Sequence, residues 1–332
     1  MPPIYFYLPK RDWPQPPRAL PSSPDEYWFD FTRGLTSGVY AWTIQTFLQL
    51  RRDGVACELV SEMPGRGIVF AHRRSLASAF RPGRELLLVC LKADYDRHPF
   101  AQFHVVLNPR ETRMIRNSAH IPHWPQPGLI PRDPARGDRF ECVAFFGEEK
   151  NLAPELRSAE WREALAAMKL AWTIVPKEHW NDFSGVDAVV AARGFEDKGW
   201  SWKPAQKLYN AWHAGVPAIL GRELAFEAER RSALDFFTAD SMQDALDALR
   251  KLAADPGLRR AMIENGHARA SETAPAKIVE KWRGLIGLAL VPAFHRWCAT
   301  PSWRQRVSLD FRAATFALHA WKLRVRGLLK PA

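Results

Sequence analysis

Along the 332-residue chain, short apolar runs of strand length alternate with segments in which apolar residues recur every three or four positions. Residues 3–9 (PIYFYLP) make the first run, and a polar stretch carrying Pro14, Pro16, Pro17, Pro21 and Pro24 follows as a predicted loop. Tyr40, Ile44, Phe47 and Leu48 then repeat at helical spacing, with Ser37 placed to cap the helix and Asp53-Gly54 to close it. The runs 55–61, 67–72, 85–91 and 103–108 read as strands between glycine, proline and charged turns. Alternation of strand and helix predicts an α/β class.

From 121 to 134 the sequence IPHWPQPGLIPRDP holds five prolines in fourteen residues. That density excludes helix and central strand and suits a stiff, extended connection, so the domain boundary is set there. The pattern then restarts with a strand at 140–146 ending at Gly147 and a helix bearing Trp161, Leu165 and Met168 on one side. Strands at 171–175, 186–192 and 216–220 follow, with a helix from Pro204 to His213 before the last of them. Helices are expected at 241–253, 256–271 and 276–290, and a final one at 311–329. The resulting division is a first α/β domain at 1–135 including the linker, a second at 136–290 and a helical tail at 291–332.

A hydrophobic fraction of 47% with 25% charged residues excludes disordered and fibrous classes. The longest uncharged apolar stretch, 284–294, falls far short of the roughly 20 residues that cross a bilayer. With no leader pattern at the N-terminus, a cytoplasmic protein is expected. Cys57, Cys90, Cys142 and Cys298 form no close pair, and His120, His123, His179 and His213 lack ligand spacing, so neither a disulfide framework nor a metal site is expected. The charge does change the picture: +9 of the net +11 lies in 281–332.

The segment 193–223, RGFEDKGWSWKPAQKLYNAWHAGVPAILGRE, is the most informative one chemically. On a helix starting at Pro204, Lys203, Lys207 and Asn210 line one face, while Leu208 and Trp212 point toward a core. Lysines beside a helix N-terminus oppose its partial positive charge, a penalty that a phosphate or diphosphate would reverse. Arg193, at a strand's carboxyl end, adds a possible charged clamp. The alternative is a solvated face with no ligand.

At KPAQKLYNAWHAGVPAIL (203–220) the chain resembles the C-terminal half of GT-B glycosyltransferases, where a helix leading into A-x-G-x-P-x-I follows the loop that binds the nucleotide sugar. The resemblance continues through 244–270 and covers roughly 140–285, and Thr36-Ser37-Gly38-Val39-Tyr40 looks like the turn after the first strand of those enzymes. It implies two Rossmann-like domains facing a cleft, with C-terminal helices crossing back. By the same resemblance Lys203, Lys207 and Arg193 would hold the donor diphosphate, with Asn210, Glu148 and Glu223 toward the donor ribose and sugar. A solvated turn explains Glu148 equally well. The two glutamates of many retaining members would fall at Asn210 and near Trp202, and neither position is acidic here.

Glycosyl transfer leaves negative charge on the departing diphosphate, which GT-B enzymes generally meet with side chains, so no metal or other cofactor is expected beyond the nucleoside diphosphate sugar itself. A base for the acceptor should project from a strand's carboxyl end in the first domain, where His72, Asp94 and His98 lie. An ordinary loop or packing role is the alternative for each. In the tail, Phe311, Ala314, Leu318, Trp321, Val325 and Leu328 step along one helical face amid arginines and lysines. This basic amphipathic helix suits either packing across the domains or the inner face of an anionic membrane. No nucleic-acid signature accompanies the charge, so no such partner is expected. The implied activity is transfer of a sugar from a nucleoside diphosphate sugar to a glycan or lipid-linked acceptor in surface-polysaccharide synthesis. A sugar-nucleotide epimerase and a degenerate scaffold of the same fold are the alternatives.

Overall fold

The computed structural model describes residues 1–14, 19–31, 33–195 and 200–328, with side chains described as far as Lys322. Pro16, Pro17, the middle of the 193–202 loop and the side chains of Val325 and Leu328 lie outside the described residues.

The first sheet contains β1 (Ile4–Tyr7), β2 (Glu58–Val60), β3 (Arg66–His72), β4 (Glu85–Leu91), β5 (Phe103–Val106) and β6 (Ser118–His120), in the order β2-β1-β3-β4-β5-β6 and parallel throughout. Near-continuous apolar sequence in β3 and β4 marks strands covered on both faces. Alternation divides them accordingly: Ile68, Phe70, Leu87 and Val89 join one buried cluster, and Val69, Leu86, Leu88 and Cys90 join another.

The second sheet contains β7 (Cys142–Phe146), β8 (Ala171–Val175), β9 (Ala188–Ala191), β10 (Ala218–Gly221) and β11 (Phe237–Ala239), in the order β11-β10-β9-β7-β8. Strand order reverses between β7 and β9 here, and between β1 and β3 in the first sheet. In open parallel sheets such reversals place the ligand crevice at the carboxyl ends of the flanking strands. The expected two-domain architecture is present.

The Pro-rich linker is pinned to the second domain. Arg132 and Arg136 both pair with Asp187, whose carboxylate also accepts the backbone N–H groups of Glu141 and Cys142. Five polar contacts on one buried carboxylate compensate its desolvation and hold its pKa below the ordinary range. Residues 275–299 then return to the first domain, where Ile278, Trp282, Phe294 and Trp297 enter its core. Trp282 meets Phe70 edge to face at 5.6 Å. The return thus starts ahead of the boundary drawn at 290, because the apolar face beginning at Ile278 matches the first sheet's uncovered side.

Several elements differ from expectation, among them the helix Leu224–Glu229, which no pattern announced. Pro24–Phe31 is a helix, where the prolines suggested a loop: Pro24 opens it, Ser23 Oγ accepts the N–H of Glu26, and the Glu26 carboxylate accepts from Ser22. The edge strands β6 and β11 are too short for a periodic signal. The final helix begins at Ser302, earlier than 311, through a first stretch in which Arg304, Gln305, Arg306 and Asp310 break up the apolar period.

Candidate active site

The helix after the 193–202 loop spans Gln206–Ala214, so it starts two residues beyond Pro204, and Lys203 lies in the preceding loop. Ala205 supplies no side-chain cap, and the Leu208 N–H already donates to the Ala205 carbonyl, so among the described residues the uncapped first-turn donors are the N–H groups of Gln206 and Lys207. The helix ends on Gly215 in the left-handed conformation (φ 67°), where a Cβ would lie 2.7 Å from the His267 ring.

Two adjoining cavities occupy the switch point. One, about 220 Å³, is lined by Gly147, Glu148 and Asn151 after β7, by Trp180 and Phe183, and by Gln206, Lys207 and Asn210. The other, about 100 Å³, lies between Arg193, Glu223, Phe226 and Asp94 and shares Asn151, Gln206 and Lys207 with the first. Lys207 therefore stands where they meet. Its ammonium lies 5.2 Å from the centre of the Phe145 ring and, among the described residues, has no carboxylate within ion-pair distance. Burial, reinforced by the Arg193 charge, lowers its pKa to about 8. Gly147 keeps the crevice open, since a Cβ there would lie 2.8 Å from the Phe145 ring and 3.4 Å from Lys207 Nζ.

Arg193 is backed by the buried Glu223, 3.3 Å from its Nε, and lies over the Trp200 ring. Burial raises the Glu223 pKa while Arg193 and Lys207 oppose the rise. Lys203 lines neither cavity and pairs across the cleft with Asp94 at 2.6 Å. The loops that carry this pair are both strained, with Ala93 at φ 49° and Trp200 at φ 41°. Asn210 Oδ1 accepts the N–H of Gln126 in the linker and Gln206 Nε2, so the residue ties the linker to the helix. Glu148 is half exposed beside Lys150 at 2.8 Å, at the mouth of the larger cavity.

The three base candidates separate clearly. His98 is buried, with Nε2 bonded to the Ala77 carbonyl and Nδ1 accepting the Phe100 N–H, so both ring nitrogens serve packing away from the cleft. His72 Nδ1 accepts the N–H of Arg74, which leaves the proton on Nε2, a buried donor with no partner. Burial, followed by the Arg74 charge, takes its pKa down to about 4, so His72 is a neutral donor and not a proton acceptor. Asp94 alone reaches the cleft as a carboxylate.

Asp94 also lines a third cavity of about 460 Å³, enclosed by Lys92, Glu111, Trp202 and the last helix at Phe316 and His319. The Lys92–Glu111 pair at 2.7 Å is buried on both sides, and burial raises the Glu111 pKa despite the lysine. Asn151, which follows Glu148 after the first strand of the second domain, was expected to face the cleft from its place in the sequence; Gln206, Gln126 and this buried pair escaped sequence reasoning because they meet only through the fold.

No protein-family model matches the sequence, and no curated protein sequence does. Solved structures similar to the chain include Anabaena Alr3699/HepE in complex with UDP, at TM-score 0.52 and 12% identity over 86% of this chain and 99% of that one. The same protein with UDP and glucose gives TM-score 0.51 at 10% identity over 86% and 99%. Sucrose-phosphate synthase from Thermosynechococcus elongatus gives 0.47 at 11% over 84% and 83%. At these identities the likeness is one of architecture: the fold is that of GT-B glycosyltransferases.

Proposed function

We propose that the chain is a glycosyltransferase that takes a sugar from a nucleoside diphosphate sugar and passes it to a glycan or lipid-linked acceptor in cell-surface polysaccharide synthesis. The observation that carries this reading is Lys207, an ammonium without an ion-pair partner among the described residues, beside Arg193 at the switch point of a GT-B fold. HepE, of the same fold, holds UDP in its own structures, which supports a nucleoside diphosphate as the anion.

In this scheme the diphosphate lies against Lys207, Arg193 and the uncapped first turn of the 206–214 helix, all of which meet the negative charge that grows as the glycosidic bond breaks. Glu223 fixes the Arg193 guanidinium for that contact. The aromatic pair Trp180 and Phe183 lines the cavity that takes the nucleoside. Lys203, drawn toward the diphosphate, releases Asp94, which then accepts the proton of the acceptor hydroxyl entering from the third cavity. These cations do the work a metal would do, so turnover is expected to survive EDTA. Among the described residues no three His, Cys, Asp or Glu side chains cluster as metal ligands would.

The acceptor reading extends to a membrane surface. Among the described residues no helix is long and apolar enough to cross a bilayer, yet Trp303, Val307, Phe311, Leu318 and Trp321 share one exposed face of the helix Ser302–Leu328. Leu309 and Gln305 on its other side pack into the first domain. An anionic lipid surface fits an apolar stripe flanked by Arg304, Arg306 and Lys322.

Incubation with a panel of nucleoside diphosphate sugars, with and without membrane extract, tests the activity. Acceptor-dependent release of nucleoside diphosphate is expected. An isomerised sugar formed from donor alone would identify an epimerase, and binding without turnover would leave a scaffold.

A further inference from the structure

Beside the third cavity, and sharing Arg97, Met114 and Ile115 with it, is a separate cavity of about 340 Å³ roofed by the last helix. Arg97, Arg116 and Arg312 line it, with His98 and His104, and no Asp or Glu does. None of the three arginines has a carboxylate partner among the described residues. Other buried arginines are satisfied singly, Arg136 by Asp187, Arg269 by Asp235 and Arg259 by backbone carbonyls, whereas here three converge. Arg97 and Arg312 are half-buried, and their uncompensated charges, with the exposed Arg116 beside them, cost solvation energy that an anion would return.

The buried groups around the arginines point the same way. Arg312 donates from Nη1 to the carbonyls of Ala101 and Gln102, but its Nε is buried without a partner. Burial lowers the Arg312 pKa, and the charges of Arg116 and Arg97 lower it further. His104 is 3% exposed, and its Nε2 accepts the N–H of His98, so the ring proton sits on Nδ1, which has no partner either. The lining therefore offers donors and positive charge without a matching acceptor.

We propose that this cavity binds a phosphate group, held by Arg97, Arg116 and Arg312 with the Nδ1–H of His104 beneath it. Because it communicates with the cavity that Asp94 lines, the phosphate belongs to the acceptor, an assignment that rests on the glycosyltransferase reading; the site itself does not. A phosphorylated lipid headgroup and a soluble phosphorylated glycan present the same chemistry. The exposed apolar stripe on the same helix brings a lipid within reach.

Calorimetry of inorganic pyrophosphate against the full-length chain tests the site, using Lys207→Met to remove the donor contact. Binding is expected to persist in Lys207→Met and to weaken roughly tenfold or more in Arg116→Ala and in Arg312→Met. Arg116 is exposed, so its variant keeps the fold, and circular dichroism checks Arg312→Met. Arg304→Ala, on the same helix but off the cavity, removes equal charge and is expected to change little. Flotation with phosphatidylcholine vesicles, with and without phosphatidic acid, separates the two sources. Capture that needs both phosphatidic acid and Arg116 identifies a lipid phosphate, and pyrophosphate binding that needs Arg116 without such capture identifies a soluble one. Absence of pyrophosphate binding in Lys207→Met, or an equal loss in Arg304→Ala and Arg116→Ala, would overturn the proposal.

Discussion

At the carboxyl edge of the second sheet Lys207 stands half-buried with no ion-pair partner among the described residues, whereas at the carboxyl edge of the first Lys92 is locked to Glu111 at 2.7 Å. The same contrast holds for the neighbouring groups. His98 and His72 in the first domain spend their ring nitrogens on backbone groups or bury them, while the 206–214 helix in the second leaves the N–H groups of Gln206 and Lys207 uncapped among the described residues. Charge that is paired and buried supports the fold, and charge that is buried without a partner costs stability until a ligand arrives. The two edges of one cleft thus differ: the lysine of the first is spent on the fold, and that of the second is open to an anion.

The sharpest break of this comparison comes from neutralising one cation or acid at each edge. Glu111→Gln strands Lys92 and is expected to cost ~3–5 kcal/mol in urea unfolding. Lys207→Met, by contrast, removes a charge the fold tolerates poorly, and its unfolding free energy should hold or rise. Should both variants lose stability equally, Lys207 would be structural.

In binding, the order reverses. Lys207→Met is expected to weaken nucleoside diphosphate sugar binding by one to two orders of magnitude, about 1.5–3 kcal/mol for a lost charged hydrogen bond. Proton linkage sharpens this further. Because the free Lys207 titrates at about 8 and a bound diphosphate raises that value, binding takes up a proton. Affinity should be flat below pH 8 and fall by up to about tenfold per unit above it, a slope absent in Lys207→Met.

The smallest effect is expected at His98. Loss of its bonds to Ala77 and Phe100 in His98→Ala should cost ~1–2 kcal/mol of stability and leave turnover per folded molecule unchanged. A large fall in turnover with stability intact would move His98 from packing into the reaction.

What could be read from the sequence follows the range of the interactions. The second domain's site was legible because Arg193, Lys203, Lys207 and Asn210 sit within one strand-loop-helix unit, where local spacing carries the geometry. Even there, the start of the helix moved two residues, which took Lys203 off the helical face and across the cleft to Asp94. The first domain's edge was not legible in the same way. Whether His72 or His98 faces a cleft or a carbonyl depends on Arg74, Ala77 and Phe100, and their positions are set by turns rather than by period. The Lys92–Glu111 pair, between the end of β4 and a short turn after β5, joins segments with no shared pattern. Likewise the cavity of Arg97, Arg116 and Arg312 draws on three distant stretches, so the tail's excess charge was visible while its convergence was not.

The central claim is that Lys207, unpaired among the described residues, marks a diphosphate site, and titration calorimetry of UDP, GDP, ADP, dTDP and CMP against wild type and Lys207→Met tests it most directly. The account predicts selective binding of one nucleoside diphosphate to the wild type, weakened by one to two orders of magnitude in the variant. Binding of equal strength in both proteins, or no binding in either, would contradict it.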